Sequence, residues 1–309
     1  MIEVQGLTKI YGNRAAIDNI SFTVQKGEIL GLLGQNGAGK TTTMKIITGF
    51  MAPTSGTAKV AGFDVFEDPI EVKKRVGYLP ELPPLYEELL VMEYLNFIAD
   101  LRGVPKSEKK KKIEKAIEQC QLQAVANRLI RNLSKGYRQR VGIAQAIIHD
   151  PQVVVLDEPT IGLDPKQVSE ARGLIRGMKS ERTLIYSSHI LSEIAATCDR
   201  IIVIDQGKIV AQETIRDLNV KTVRFEIVVN KLDEELMKTI QAIPNISKVT
   251  RSEKEKNRIL VEGTGDETLY MEVAKKVVQR EAGLVRMAPV KMDLEEHYLQ
   301  LIGARSISL

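Results

Sequence analysis

The stretch Gly34-Gln35-Asn36-Gly37-Ala38-Gly39-Lys40-Thr41 decides the fold. It fits the pattern G-x-x-x-x-G-K-[ST] of a phosphate-binding loop. An apolar run at 29–33 precedes it and a helical pattern at 41–47 follows it, as a loop between a buried strand and a helix requires. The glycines let backbone N–H groups surround phosphate oxygens, and the helix presents its positive end to them. The stretch therefore predicts a nucleotide-phosphate site in an α/β fold.

Three residues at the end of this loop have specific expected roles in phosphate and metal binding. Lys40 should reach the β- and γ-phosphates, the Thr41 hydroxyl should bind Mg²⁺, and Thr42 can donate to an α-phosphate oxygen. A dinucleotide-binding G-x-G-x-x-G loop is excluded, because Thr42 stands where its third glycine would be. The ATP-binding residues expected here are Gly34, Gln35, Asn36, Gly37, Ala38, Gly39, Lys40, Thr41 and Thr42.

A second feature is the apolar run at 153–156, which ends in Asp157 and Glu158. The end of such a strand lies at the carboxyl edge of the sheet, where folds of this kind bind ligands. Asp157 can hold Mg²⁺ through its water shell, and Glu158 is placed to polarise an attacking water. One phosphate loop and one acidic strand end indicate a nucleotide phosphohydrolase or kinase.

Composition narrows the class of protein further. The 309 residues carry a net charge of +4 that is spread along the chain, so nucleic acid is not an expected partner. No apolar run approaches the roughly 18 residues of a membrane span, and the first residues do not resemble a signal peptide. Two distant cysteines, Cys120 and Cys198, predict neither a disulfide nor a zinc site. We expect a cytoplasmic protein.

Strands and helices alternate over the first part of the chain, which predicts a mostly parallel sheet. Short strands are expected at 2–4 and 21–24 and buried strands at 153–156, 183–187 and 201–204. Residues from about 85 to 150 have a helical pattern and form a predicted helical subdomain. Its basic run at 106–115 is expected to be a solvated helix face. This ATP-binding domain is predicted to span residues 1–218.

Residues 219–309 predict a second, small α+β domain. The expected order is strand, helix, strand, strand, helix, strand, which is the ferredoxin-like pattern. It carries no phosphate loop and no metal cluster, so its role is expected to be accessory. The predicted elements are strands at 222–229, 246–251, 258–262 and 284–290, helices at 232–243 and 267–281, and a last helix at 294–302.

Further motifs occur in a fixed order around these two features. They are Tyr11, the loop Tyr78-Leu79-Pro80-Glu81, the stretch Leu133-Ser134-Lys135-Gly136-Tyr137-Arg138-Gln139-Arg140, the stretch Gly162-Leu163-Asp164-Pro165, and His189 after Ser187-Ser188. Together they resemble the ATP-binding subunits of ABC transporters, with a signature-like stretch at 133–140 and a D-loop-like stretch at 162–165. The resemblance covers residues 1 to about 215 and is closest to export-type and gliding-motility-type subunits.

The resemblance implies an ATP hydrolase in which two such domains meet head to tail. Ser134 and Gly136 would touch the γ-phosphate bound by the other subunit, and Tyr11 would stack on adenine. His189 would contact the γ-phosphate and orient Glu158, which makes Glu158, His189 and Lys40 the expected catalytic residues. The implied partners are transmembrane permease subunits, against which residues 85–99 would press, and a second copy of the chain. The protein would then lie peripherally on the inner face of the cell membrane.

Two departures from the family pattern affect these roles. The usual signature Leu-Ser-Gly-Gly-Gln has Lys135 and Tyr137 in place of a glycine and the glutamine. Ser134 and Gly136 are retained, so the phosphate contact should persist, and Lys135 can add positive charge near it. The loop at 78–81 usually contains glutamine, and here Glu81 takes its place among the expected ATP-binding and metal-binding residues. Its carboxylate can accept a hydrogen bond from water and bind Mg²⁺, but it cannot donate a hydrogen bond when ionised.

Two other functions compete with transport. A soluble ABC ATPase acting on ribosomes or DNA usually has two ATP domains or a long coiled-coil insert, and this chain has one phosphate loop and no sustained heptads. A regulatory module that does not hydrolyse ATP is disfavoured by intact Lys40, Asp157, Glu158 and His189.

Overall fold

The computed structural model describes residues 1–215, 223–252, 257–263 and 268–290. The chain divides into two compact units, Met1–Gln212 and Glu213–Leu309. The sequence predicted a boundary at 218, which lies among residues outside the description.

The first unit contains ten strands and seven helices in the described residues. The strands are β1 (Ile2–Tyr11), β2 (Arg14–Val24), β3 (Ile29–Leu33), β4 (Ser55–Val60), β5 (Phe63–Asp64), β6 (Val76–Leu79), β7 (Val153–Leu156), β8 (Thr183–Ser188), β9 (Arg200–Asp205) and β10 (Lys208–Thr214). The helices are α1 (Lys40–Ile47), α2 (Pro69–Arg75), α3 (Val91–Leu101), α4 (Lys106–Gln119), α5 (Lys135–Ile147), α6 (Pro165–Gly177) and α7 (Leu191–Thr197).

The central sheet has the strand order β10-β9-β3-β8-β7-β6. The pairings of β3 with β8 and β9, and of β7 with β6 and β8, are parallel, as the alternation predicted. β3 and β7 are buried along their whole length, which explains their continuous apolar sequences. Because the strands are parallel, the carboxyl ends of β3, β7 and β8 lie side by side at one edge.

The strands at 2–4 and 21–24 were predicted too short. β1 and β2 are ten and eleven residues long and form a hairpin whose last pair is Tyr11 with Arg14. The register shifts between Val4 and Leu7, where Gly6 adopts φ +57°. A bulge of this kind breaks the alternating pattern while the strand continues. β1 also pairs with β4, so contacts distant in sequence sustain its length.

The predicted helical subdomain contains α3, α4 and α5. α3 and α4 each bury one apolar stripe, which in α4 consists of Ile113, Ala116 and Ile117. Most of the basic run of α4 is exposed, as expected for a solvated face. Among the described residues, no helix combines the length and the apolar character that crossing a membrane requires.

The second unit has the predicted ferredoxin-like order within its described residues. Its sheet is antiparallel with the order β12-β13-β11-β14, and the elements bury one apolar cluster that includes Phe225 and Val273. The predicted helix at 294–302 lies outside the described residues. The elements are β11 (Val223–Val229), α8 (Glu234–Gln241), β12 (Ile246–Arg251), β13 (Arg258–Gly263), α9 (Thr268–Gln279) and β14 (Leu284–Pro289).

Candidate nucleotide-binding and hydrolysis site

The loop between β3 and α1 is built around glycines, two of which leave no room for a β-carbon. Gly39 has φ +113°, and a β-carbon there would lie 2.7 Å from the backbone oxygen of Ala16. A β-carbon on Gly34 would overlap the backbone oxygen of Ile204. Gly37 has φ +81°, a conformation that glycine adopts without steric cost. The chain can therefore fold back tightly and present backbone N–H groups at the start of α1.

Lys40, the first residue of α1, is buried, with 5% of its surface exposed. Its ammonium donates to the backbone oxygens of Gly34 at 2.6 Å and Gln35 at 3.3 Å. It also lies 3.1 Å from Oε1 of Glu158. The lysine is thus held inside the loop with its charge directed at the acidic end of β7.

Asp157, directly after β7, is completely buried. Its Oδ1 accepts a hydrogen bond of 2.9 Å from Ser187 Oγ. Burial raises the pKa of Asp157, while the Ser187 hydrogen bond and the nearby Thr41 hydroxyl act in the opposite direction. Its Oδ2 has no hydrogen-bond partner in the described part of the protein. An orphaned carboxylate oxygen beside the Thr41 hydroxyl fits the needs of Mg²⁺, which takes few protein ligands and keeps waters and substrate phosphates.

Glu158 lies between two basic groups. Its Oε2 is 2.9 Å from Nδ1 of His189, and its Oε1 faces Lys40. Its backbone has φ +47°, and its N–H donates to Ser187 Oγ at 2.9 Å. Strain of this kind occurs where a turn must aim a functional side chain, and here Ser187 holds the turn in place. The arrangement suits a carboxylate that polarises a water beside a phosphate.

Lys40, Glu81 and Glu158 line one cleft of about 240 Å³. Four other expected site residues, Gly34, Ala38, Asp157 and His189, are not among its lining residues. Tyr11 is not among the lining residues. It is exposed near the tip of the β1–β2 hairpin, with its hydroxyl 2.9 Å from Met51 Sδ. The lining residues are Ala16, Gln35, Asn36, Gly37, Gly39, Lys40, Thr41, Thr42, Glu81 and Glu158.

Ser134 and Gly136 line a different cleft of about 250 Å³. Ser134 is the N-cap of α5 and accepts a weak hydrogen bond from Tyr137 N at 3.4 Å. Gly136 packs closely on Gln167, where a β-carbon would come within 2.8 Å of the side chain. The two clefts share no lining residue, so a single chain does not bring the signature to its own phosphate loop.

Sequence reasoning missed two residues that support the phosphate-loop cleft. Ala16 closes the cleft from β2 and lies against Gly39, but nothing in an apolar strand residue signals this. Ser187 bonds both Asp157 and the backbone of Glu158. Its position at the end of the strand beside β7 could have indicated that role.

The fold and the phosphate-loop cleft define a P-loop nucleoside triphosphatase. A family model described as ABC transporter matches residues 17–161. The chain is 38% identical over 232 residues to the bacitracin transport ATP-binding protein BcrA of Bacillus licheniformis, covering 74% of this chain and 75% of that one. It is 30% identical over 307 residues to the linearmycin resistance ATP-binding protein LnrL of Bacillus subtilis (strain 168), covering 98% of both chains.

Solved structures agree with these relatives. The ATP-binding subunit of an ABC transporter matches with a TM-score of 0.64 at 30% identity, covering 71% of this chain and 92% of that one. The dimeric ABC transporter cassette MJ0796 matches with a TM-score of 0.64 at 25% identity, covering 70% and 99%. The chain therefore belongs to the ABC transporter family, as an ATP-binding subunit that hydrolyses ATP. The predicted family, fold class and enzyme class are confirmed.

Proposed function

We propose that two copies of this chain meet head to tail, hydrolyse ATP with Mg²⁺ at their interface, and drive export through separate membrane subunits. The observation that carries the proposal is the separation of the two clefts within one chain. Lys40 and Glu158 lie in one cleft and Ser134 and Gly136 in the other. A second copy rotated by a two-fold axis completes two identical sites at once, because a symmetric interface uses the same surface of both partners.

Each residue then has a stated part in hydrolysis. Lys40 neutralises charge on the β- and γ-phosphates once these replace Glu158 as its partner. Glu158 polarises the attacking water, and His189 holds the Glu158 carboxylate in position. Thr41, Asp157 and, through water, Glu81 would hold Mg²⁺, which would supply positive charge to offset that of the phosphates.

The second copy supplies the opposite side of the γ-phosphate. Ser134 begins α5, and the backbone N–H groups at that helix start suit an anion. Gly136 keeps the approach of the phosphate free of a side chain. Tyr11 remains an adenine-stacking residue in this proposal, and it would have to turn from Met51 towards the nucleotide.

Membrane subunits are proposed to dock on the surface formed by the loop before α3 and by α3 itself. Leu82, Tyr86 and Phe97 are exposed there, and the Tyr86 and Phe97 rings contact each other edge to face at 5.5 Å. The Tyr86 ring also contacts buried Tyr94 edge to face at 6.1 Å, which anchors it on the protein. A group of exposed apolar side chains of this kind suits a partner protein. The chain would thus lie on the inner face of the membrane. Export is favoured by the relative named for linearmycin resistance, because moving a compound out of the cell is one way in which a transporter gives resistance.

Sedimentation velocity tests the assembly. Glu158→Gln keeps the shape of the site but removes the carboxylate, so ATP should persist there. We expect this variant to sediment as a dimer with ATP and as a monomer with ADP. Adding Ser134→Arg should block the dimer by filling the cross-subunit contact. A Glu158→Gln protein that stays monomeric at saturating ATP would contradict homodimer closure.

Membrane docking is tested with Phe97→Glu in cells that express the full chain. We expect the protein to move from the membrane fraction to the soluble fraction while its ATPase activity in isolation is unchanged. Phe50→Glu, which alters an exposed aromatic outside this surface, serves as the control. Sedimentation of the wild type with ribosomes instead of membranes would favour the soluble ATPase alternative.

A further inference from the structure

Glu193, in the first turn of α7, is a buried acid that the hydrolysis scheme does not use. Its Oε2 accepts hydrogen bonds from Thr160 Oγ1 at 2.6 Å, Tyr186 OH at 3.1 Å and Ser188 Oγ at 3.1 Å. We call these four residues the Glu193 cluster. All four side chains are buried, and Tyr186 is fully inaccessible. Three hydroxyl donors on one oxygen offset much of the cost of burying a carboxylate.

Two members of the cluster flank the residues that carry out hydrolysis. Thr160 lies two positions after Glu158, in the loop that leads to the D-loop-like Gly162 and Asp164. Ser188 directly precedes His189, and its Oγ also accepts from Ile190 N at 3.0 Å. One carboxylate therefore joins the two chain segments that carry Glu158 and His189.

His189 itself is loosely held. Its side chain is 40% exposed, and in the described part of the chain its ring is hydrogen-bonded to Glu158. The position of its ring therefore depends on the backbone on either side, which Glu193 fixes through Ser188. A displacement of about 1 Å at a reacting group can lower a rate on the order of 100-fold.

We propose that Glu193 is a positioning residue, which keeps His189 in register with Glu158 and couples both to the D-loop-like segment through Thr160. The inference rests on the proposed function for the roles of Glu158 and His189. It adds that the partner subunit, by contacting residues 162–165, can shift the histidine through the Thr160–Glu193–Ser188 chain of hydrogen bonds.

Kinetics of conservative variants of the full chain test the proposal. Glu193→Gln keeps the size but replaces charge-assisted bonds by weaker neutral ones. We expect kcat to fall about tenfold while the KM for ATP stays within about twofold, since only the transition state uses the aligned histidine. Thr160→Val and Ser188→Ala, which each remove one loop hydroxyl, should lower kcat in the same way.

Tyr186→Phe is the matched control. It removes the third hydroxyl of the cluster, but Tyr186 lies within β8 and not in either loop. If the cluster served only stability, Glu193→Gln, Thr160→Val, Ser188→Ala and Tyr186→Phe should have similar melting temperatures and similar kcat values. The Tyr186 hydroxyl also lies 3.1 Å from Thr160 Oγ1, so we expect Tyr186→Phe to lower the melting temperature and to lower kcat by less than either loop variant does.

A double-mutant cycle with His189→Ala distinguishes positioning from general damage. If Glu193 acts through His189, Glu193→Gln should cause no further loss of kcat in the His189→Ala protein. Independent, multiplying losses would overturn the proposal, as would a wild-type kcat in Ser188→Ala and Thr160→Val. Should Glu193→Gln fail to fold, those two loop variants decide the question. ATP-driven dimerisation of Glu158→Gln is measured in a separate experiment. Failure of the proposed function can therefore be distinguished from failure of the proposed role of Glu193.

Discussion

The ammonium of Lys40 and the carboxylate of Glu158 form a buried ion pair, with Nζ 3.1 Å from Oε1. Both side chains are about 95% inaccessible. In the nucleotide-free protein the lysine that should bind phosphate is therefore paired with the group that should activate water. In the proposed mechanism ATP displaces Glu158 from Lys40, and the displaced carboxylate is then free to act on water.

The first prediction concerns this competition. Glu158→Gln removes the charge that competes with phosphate for Lys40, so ADP should bind about tenfold more tightly, or ~1.4 kcal/mol. Isothermal titration with ADP measures the change. Glu181→Gln, which neutralises an exposed acid, is the control and should leave the affinity unaltered. Equal or weaker ADP binding by Glu158→Gln would show that the ion pair does not oppose the nucleotide.

Asp157 gives a pH-dependent prediction. Burial raises its pKa above the ordinary 3.8, so the folded protein binds this proton more tightly than the unfolded chain does. Ionisation of Asp157 therefore lowers the free energy of unfolding. This loss is absent below about pH 3.8, grows as the pH rises towards the folded pKa and is complete above the folded pKa. Asp157→Asn should raise the melting temperature of the nucleotide-free protein at pH 7.5 by roughly 2–4 °C per kcal/mol recovered.

Melting curves between pH 4 and pH 8 in the presence of a chelator check this expectation. The gain in Asp157→Asn should shrink towards pH 4. Asp205→Asn, at the end of another strand of the same sheet, is only partly buried and provides the comparison. A gain that is constant across the pH range would mean that the Asp157 charge is not its source.

Lys135 gives a third prediction. Its Nζ rests on Gly162, where a β-carbon would overlap it, and the lysine is exposed next to Ser134. In the proposed dimer this ammonium faces the γ-phosphate of the other subunit. In the Glu158→Gln background, Lys135→Gln should weaken ATP-driven dimerisation by roughly 3–10-fold and make it less sensitive to salt.

Sedimentation at several salt concentrations measures this effect. Lys110→Gln, on the exposed face of α4, removes the same charge far along the chain and should change neither quantity. Matching behaviour of the two variants would remove any special role for Lys135.

The second unit is predicted to be accessory to ATP binding. A chain that ends at residue 218 keeps β10 complete, because that strand ends at Thr214. We expect this fragment to fold and to bind ATP with the affinity of the full chain. Thermal melting and nucleotide titration test it, and a folded fragment without ATP binding would reject the division of roles.

The sequence predicted those features that short-range chemistry determines. Gly34, Gly39 and Lys40 were found because a phosphate loop needs glycine conformations and one lysine at fixed spacing. The parallel strands were found because strands buried on both faces are continuously apolar. The six described elements of the second unit agree with prediction to within about two residues at each end, within the ordinary uncertainty of such boundaries.

Features that depend on distant contacts were not predicted. β1 continues past Gly6 because β2 and β4 pair with it from both sides. The contacts of Glu158 with Lys40, of Ser187 with Asp157 and of Glu193 with Thr160 join residues 30 or more positions apart. Local periodicity carries no information about such pairs. The position of Tyr11 against Met51 likewise depends on packing between separate strands and loops.

Subunit mixing tests the central claim, that each ATP site is shared between two copies of this chain. Lys40→Ala disables the phosphate loop. Ser134→Asp keeps the N-cap of α5 but sets a negative charge against the γ-phosphate. Each protein alone should hydrolyse almost no ATP. In a mixed dimer one site contains an intact phosphate loop and an intact signature. The other site combines both substitutions, so it binds no nucleotide and the aspartate there meets no phosphate.

An equal mixture of these two proteins should therefore recover phosphate release, up to about a quarter of the wild-type rate if half the dimers are mixed and each has one working site. Lys40→Ala mixed with Glu158→Gln is the control, because both changes lie on the same side of the site and no mixed dimer has an intact one. Recovery in the first mixture alone is the result that the account predicts. No recovery in either mixture, from variants shown to be folded, would contradict a site shared between two copies of this chain.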